Sequence, residues 1–302
     1  MTMPAVVLDP PPTYQHVTVL RAEVVHAVNP RPGQVFADCT LGGGGHAEAL
    51  LEAADGVRVV GLDCDPAAIE AARARLDRFG ARVSFVRGTF DELAARLRDC
   101  GVNQLDGLIA DLGVSSPQLD DPDRGLSFRS SGPIDMRMDP EGGQTALDVI
   151  ARATQDELAN IIYQLGDERR SRRIARCIKQ ALSAGELVTT LDLRRAVVRA
   201  VGPRRVGNID PATRTFQALR IAVNRELEQL ERLLSAATEM VRPGGTAAFI
   251  SFHSLEDRMV KRTFQRREVW QRINPKPLVP STAEQASNPR SRSAKLRAAI
   301  RL

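Results

Sequence analysis

A chain of 302 residues, 43% of them hydrophobic, is long enough for one core-forming domain and a sizeable insertion. No run reaches the roughly 20 apolar residues of a membrane span, and the proline-rich residues 1–12 lack the basic and apolar regions of a secretory signal. Cys39, Cys64, Cys100 and Cys177 show neither close pairing nor metal-ligand spacing, so a reduced cytoplasmic protein with no metal site is expected. The net charge of +5 is unevenly spread: residues 1–150 hold 13 Lys+Arg against 22 Asp+Glu, and residues 151–302 hold 29 against 15. A basic half of that size can neutralise phosphates and makes a polyanion a natural partner; a set of solvated helix faces is the alternative.

In chain order, Val17, Leu20, Val24 and Val28 fall at helical spacing and predict a short helix closed by Pro30. Residues 35–37 form an apolar strand pattern, followed by a glycine-rich turn at 38–46 (DCTLGGGGH) and a helix to about residue 54. A second strand over 57–62 ends at Asp63, and Pro66 opens a helix that turns Ile69, Ala72 and Leu76 inward. Residues 83–86 read as the third strand, 90–97 as its helix and 105–112 as the fourth strand. Nearly continuous apolar strands alternating with helices predict a mostly parallel, Rossmann-like sheet of the α/β class, covered on both faces.

The rhythm stops at residues 113–145, rich in Gly, Ser, Pro and Asp and without period, which marks a long loop that is either functional or disordered. Helices are predicted from the capping-box sequence Thr154 to Glu157, over 169–182 with Ile174 and Ile178 inside a basic surface, and over 190–201. No strand signal intervenes before residue 213. An inserted all-helical domain over 118–213, between sheet-domain segments 1–117 and 214–302, is therefore expected. One long helix over 211–241, a strand over 246–252, a helix over 255–267 and a last strand over 296–302 complete the chain.

Gly42, Gly43, Gly44 and Gly45 let the backbone turn sharply and approach a ligand at a helix N-terminus. Asp63, about 20 residues on, stands where an acid binds ribose hydroxyls. The spacing of Asp38, Thr40, Gly42 and Gly44 resembles the D-x-G-x-G-x-G turn of class I methyltransferases, with Thr40 replacing the first glycine. No Walker lysine follows, and the dinucleotide pattern G-x-G-x-x-G fits only loosely. His46 opens the next helix with its backbone N–H free for a cofactor, and Phe90 follows strand three where such enzymes present a side chain to adenine.

Strand four runs into Asp111 and residues 112–118 (LGVSSPQ), at the carboxyl end of a central strand where open α/β sheets do their chemistry. Methyltransferases of exocyclic amines often carry D-P-P-Y or N-P-P-Y here. An aromatic amine has a delocalised lone pair, so its N–H groups must be held by acceptors and aligned with the donor. Asp111 and the backbone carbonyls around Ser115, Ser116 and Pro117 suit both needs. No cue for nucleophile activation accompanies the serines. Asp135 and Asp139 lie in the long loop, either solvated or lining the acceptor pocket. His253 follows strand five and is read as pocket lining, although capping of the next helix by Ser254 explains part of that string.

These strings, with residues 125–128 (GLSF), 133–139 (PIDMRMD), 166–173 (GDERRSRR), 211–224 (PATRTFQALRIAVN), 251–258 (SFHSLEDR) and 288–297 (NPRSRSAKLR), resemble the MraW family over nearly the whole chain. The resemblance implies a class I fold with a helical insertion and S-adenosylmethionine as cofactor. It implies cofactor contacts at Gly44, Gly45, His46, Asp63, Phe90, Asp111 and Gln118. It also implies methylation of a cytidine N4 amine in the decoding region of 16S rRNA within the small ribosomal subunit. The basic second half, including Arg169, Arg170, Arg172, Arg173 and the 290–297 tail, would hold the RNA backbone. Thr18 and Asp167 depart from the family pattern, neither expected to touch the cofactor site. Two other classes stay open: a nicotinamide-dependent oxidoreductase, and an RNA-binding assembly protein whose cofactor site is idle.

Overall fold

The computed structural model describes residues 17–203 and 210–302, so the proline-rich segment 1–12 lies outside the described residues. Helix α1 (Arg21–Val28) leads into β1 (Val35–Asp38), α2 (Gly45–Ala53), β2 (Arg58–Asp63), α3 (Pro66–Leu76), β3 (Val83–Arg87), α4 (Leu93–Asp99) and β4 (Leu105–Asp111). After a long loop holding α5 (Ser116–Asp120) come α6 (Ala146–Arg152), α7 (Gln155–Gly166), α8 (Ser171–Ser183) and α9 (Thr190–Val201). The chain ends with α10 (Thr213–Asn224), α11 (Glu226–Met240), β5 (Val241–Ser251), α12 (Ser254–Phe264), β6 (Trp270–Arg272), α13 (Thr282–Ser287) and β7 (Lys295–Arg301).

The sheet order is β3-β2-β1-β4-β5-β7-β6. Pairings from β3 through β5 are parallel, and β7 joins both β5 and β6 antiparallel. The chain winds outward from β1 to β3, then returns to place β4 on the other side of β1. That reversal leaves a crevice at the carboxyl ends of β1 and β4, which is where open sheets bind ligands. The strand cores are buried, as expected of strands covered on both faces. Val24, Leu50, Leu51, Ala72 and Leu76 from α1, α2 and α3 cover one side. Leu93, Leu97, Leu230, Leu234, Val260 and Phe264 from α4, α11 and α12 cover the other.

A third hydrophobic cluster stands apart from the sheet and gathers residues from Leu126 to Leu219, with Ile150, Ile162, Ile174, Ile178 and Val197 fully buried. Among the described residues no helix is long and apolar enough to cross a membrane.

The stretch expected as one helix over 211–241 is two. Arg225 between α10 and α11 adopts φ 50°, a left-handed conformation that costs a non-glycine residue about 1 kcal/mol. The physical reason is a division of labour. Phe216 and Leu219 on α10 belong to the helical cluster, while Leu230, Leu233 and Leu234 on α11 cover the sheet. The bend lets each half turn its own apolar face to its own cluster. Arg220 offsets part of the cost by gripping Glu226 across the bend at 2.7 and 2.8 Å.

Candidate active site

At the switch point lies a cavity of about 310 Å³, the size class of small-molecule sites. Its floor is the strand ends: Thr40 and Gly42, Asp63, Phe90, Asp111 and Phe252. Its roof is the loop at Arg137, Met138, Asp139 and Gly142 together with the α10–α11 junction. Asn224 binds these two roof pieces together. Its amide oxygen accepts the Met138 N–H at 2.7 Å, and its nitrogen donates to the Met136 carbonyl at 2.8 Å.

The glycine turn takes the shape its composition allows. Gly42 and Gly44 have φ of 50° and 79°, open to glycine at little cost. Asp63 clamps the turn: one carboxylate oxygen accepts the Gly42 N–H at 2.8 Å and the other the Asp65 N–H at 2.9 Å. Burial outweighs these bonds and pushes its pKa up to about 6. Asp38, 1% exposed, is likewise raised to about 6 by burial, against the opposing effect of His46. Thr40 explains its departure from glycine, since its hydroxyl accepts the Asp111 N–H at 2.5 Å and ties the turn to β4. Thr18 is not among the cavity-lining residues and packs behind the turn. A Cβ on Gly45 would stand 1.8 Å from the Thr18 hydroxyl oxygen.

On the acceptor side, His46 Nε2 lies 3.7 Å from Asp111 Oδ2, the imidazole buried and the Asp111 side chain 11% exposed. Among the described residues Asp111 Oδ1 and both imidazole nitrogens have no hydrogen-bond partner. Ser115 and Gln118 line the cavity, whereas Ser116 and Pro117 start α5 outside its lining. Ser115 and Gln118 form a capping box, and Gln118 also donates to the buried Asp65 at 2.8 Å. Arg124 donates to the same Asp65 oxygen at 2.8 Å and to the Met138 carbonyl at 2.6 Å.

Asp135 does not line the cavity; it holds Arg137, which does, through bonds of 2.8 and 2.6 Å. Burial pushes the Asp135 carboxyl up, but the Arg137 bonds outweigh it and hold it low. His253 is also absent from the lining, and its neighbours Phe252 and Glu256 take that place. The N-cap of α12 is His253 and not Ser254: His253 Nδ1 accepts the Glu256 N–H at 3.4 Å. His253 Nε2 is 3.0 Å from Glu256 Oε1, and Glu256 Oε2 accepts the Phe252 N–H at 2.9 Å. Against a burial effect of opposite sign, His253 and Arg220 hold the Glu256 carboxyl below its usual range.

Glu226, His253 and Glu256 each bring a ligand-type atom within 4.8 Å of the others, with Arg220 occupying both oxygens of Glu226. Asn224, Glu226, Phe252 and Glu256 carry no expected role from sequence. Only Glu256 carried a local signal, the carboxylate at the third position of a helix.

The basic half divides in two. Arg169, Arg172, Arg173 and Arg176 are exposed at and beyond the start of α8 and have no acidic partner among the described residues. Arg170 donates to the Val201 carbonyl. In the tail, Arg290 pairs with Asp120, Lys295 and Arg297 share Asp257, and the exposed Arg292 has no acidic partner among the described residues.

The MraW methylase family model matches residues 13–302. The chain is 59% identical over 299 residues to the ribosomal RNA small subunit methyltransferase H of Sorangium cellulosum, covering 98% of this chain and 95% of that protein. It is 51% identical to the protein of the same name from a Synechococcus strain, covering 97% and 96%. The Granulibacter bethesdensis protein of that name is 49% identical, with 95% and 91% covered.

Proposed function

The chain belongs to the MraW methylase family, and from that premise we propose that it methylates the N4 amine of a cytidine in the decoding region of small-subunit ribosomal RNA, in the cytoplasm. S-adenosylmethionine is the cofactor and supplies, when bound, an electrophilic methyl group on a sulfonium sulfur. The residues present fit it. Asp63 lines the cavity and offers an acceptor for ribose hydroxyls, and Phe90 and Gln118 close the adenosine side. Gly44, Gly45 and His46 sit just behind that lining at the start of α2, where the Gly44 N–H is already donated to the Leu41 carbonyl at 2.7 Å.

The observation that carries the reading is Asp111, which lines the cavity and whose Oδ1 has no hydrogen-bond partner among the described residues. An acceptor left unsatisfied costs about 1–3 kcal/mol. An amine N–H donated to Asp111 removes that cost, localises the nitrogen lone pair and aims it. The target base reaches this depth only by leaving its stack, which favours single-stranded or looped RNA. The unpaired arginines of α8 supply phosphate contacts. We place the RNA-facing unit over residues 118–224, because the α10 side chains Phe216 and Leu219 pack with it.

The test is methylation of assembled small subunits and of naked RNA, with modified nucleosides mapped. Loss of product at one cytidine in Asp111→Ala supports the reading. Full methylation by Asp111→Ala removes Asp111 from the chemistry, and no product from the unmutated protein on either substrate leaves an RNA-binding role only.

A further inference from the structure

A pyrimidine taken out of its stack loses a planar partner on each face, and sites that accept flipped bases replace at least one of them. The chain holds only nine Phe, two Tyr and one Trp. Among the described residues two of these rings line the cavity, Phe90 and Phe252. The sheet order separates them. Phe90 follows β3, three strands from β4, roughly 14 Å from the line of Asp111, whereas Phe252 follows β5, one strand and roughly 5 Å away. A ligand whose nucleoside end lies by Asp63 and Phe90 leaves the β4–β5 side of the cavity for the acceptor.

Phe252 is held for such a role. The end of β4 is tied to β5 by the Leu112 N–H donating to the Ile250 carbonyl at 2.9 Å. The Phe252 backbone is fixed by Glu256 at 2.9 Å. Part of the half-buried ring packs against the hydrophobic cluster behind β5 and part lines the cavity. Gly113 stands alongside with φ 100°, and a Cβ there would meet the ring edge at 3.7 Å, so the absence of a side chain keeps the approach to the ring open. D-P-P-Y sites carry an aromatic residue three positions after the acid; here that position is Val114. The ring missing from the strand-four motif is present in space, delivered by the neighbouring strand.

We propose that Phe252 is the platform on which the acceptor pyrimidine stacks, setting the base beside Asp111. This rests on the amine-methylation reading above. Base–aromatic stacking removed by substitution corresponds to a loss on the order of 10- to 100-fold in substrate use.

The experiment compares Phe252→Leu, Phe252→Tyr and Phe252→Trp with the unmutated protein on small subunits, with S-adenosylmethionine affinity measured by calorimetry. Phe252→Leu is expected to lose 10- to 100-fold in kcat/KM with cofactor affinity within about twofold, and Phe252→Tyr to recover most of the loss. The new indole in Phe252→Trp should be quenched by a single-stranded oligonucleotide of the target sequence added with S-adenosylhomocysteine, a readout independent of how the leucine variant folds. An unchanged kcat/KM in Phe252→Leu, a parallel loss of cofactor affinity, or quenching by the cofactor alone overturns the platform. An unmutated protein that methylates neither substrate overturns the functional reading instead, which separates the two failures.

Discussion

His46 Nε2 faces Asp111 Oδ2 at 3.7 Å across the switch point, one side chain from the helix after β1 and the other from the end of β4. His46 is buried, and Asp111 Oδ1 has no hydrogen-bond partner among the described residues. Replacing Asp111 by Asn preserves its volume but presents a donor group to the amine or to His46. Loss of one such preorganised group lowers kcat by about 10²–10³-fold in comparable sites. Asp111→Asn is expected to show that loss in single-turnover methylation, with S-adenosylmethionine affinity changed far less. A single-turnover rate within threefold of the unmutated protein would sink the assignment.

Asp38 and Asp63 give the site a pH dependence whose sign is fixed by burial. Both pKa values rise from 3.8 to about 6, so between these values the folded protein binds more protons than the unfolded chain. Their contribution to the stability of the ligand-free protein therefore falls as pH rises through that window and levels off above about 6. A ligand that donates hydroxyls to Asp63 favours its ionised form. The rise in Tm produced by S-adenosylmethionine should grow from pH 5 to pH 7, and Asp63→Asn should flatten that growth. A ligand-induced shift independent of pH in the unmutated protein would contradict this.

The first four strands were legible because each is an apolar run buried on both faces, and the glycine turn and Asp63 because their spacing is local. The roof was not. Asn224, Glu226 and Glu256 reach the cavity from elements more than 100 residues beyond the glycine turn, and no periodicity reports that approach. Nor does a run of leucines report the bend at Arg225, since each half keeps its own apolar face. At the end of β5 the choice between His253 and Phe252 turned on which adjacent residue points inward. Chemistry suggested the histidine; the backbone at the start of α12 uses it as the cap and turns the phenylalanine to the cavity.

Thr18 and Gly45 form a contact that a substitution can interrogate. A methyl group on Gly45 would overlap the Thr18 hydroxyl oxygen at 1.8 Å and crowd its Cβ at 3.1 Å. Overpacking of this kind costs about 1–3 kcal/mol. Gly45→Ala is expected to lower Tm and to weaken cofactor binding, because the turn must shift. Thr18→Ala removes the nearer atom, so the double variant should recover part of the loss. Strictly additive Tm changes would show that the two residues do not press on each other.

Arg124 joins the fold's stability to the shape of the site, and the two effects can be separated. Asp65 is 1% exposed; one oxygen caps α3 through the Ala67 N–H at 3.1 Å, and the other receives Arg124 and Gln118. Arg124→Leu leaves that buried carboxylate without its cationic partner, held only by Gln118 and the Ala67 N–H, a change that costs about 3–5 kcal/mol in comparable pairs. The same substitution frees the Met138 carbonyl, which Arg124 holds at 2.6 Å beneath the cavity roof. Asp65→Asn in the Arg124→Leu background removes the stranded charge and retains an oxygen for the α3 cap but sets its amide nitrogen against the Gln118 donor, so Tm should recover in part. Cofactor affinity should not recover, because the roof contact is still missing. Calorimetry and thermal melts on the single and double variants measure the two quantities independently, and recovery of affinity in step with Tm would show that Arg124 acts on the site through stability alone.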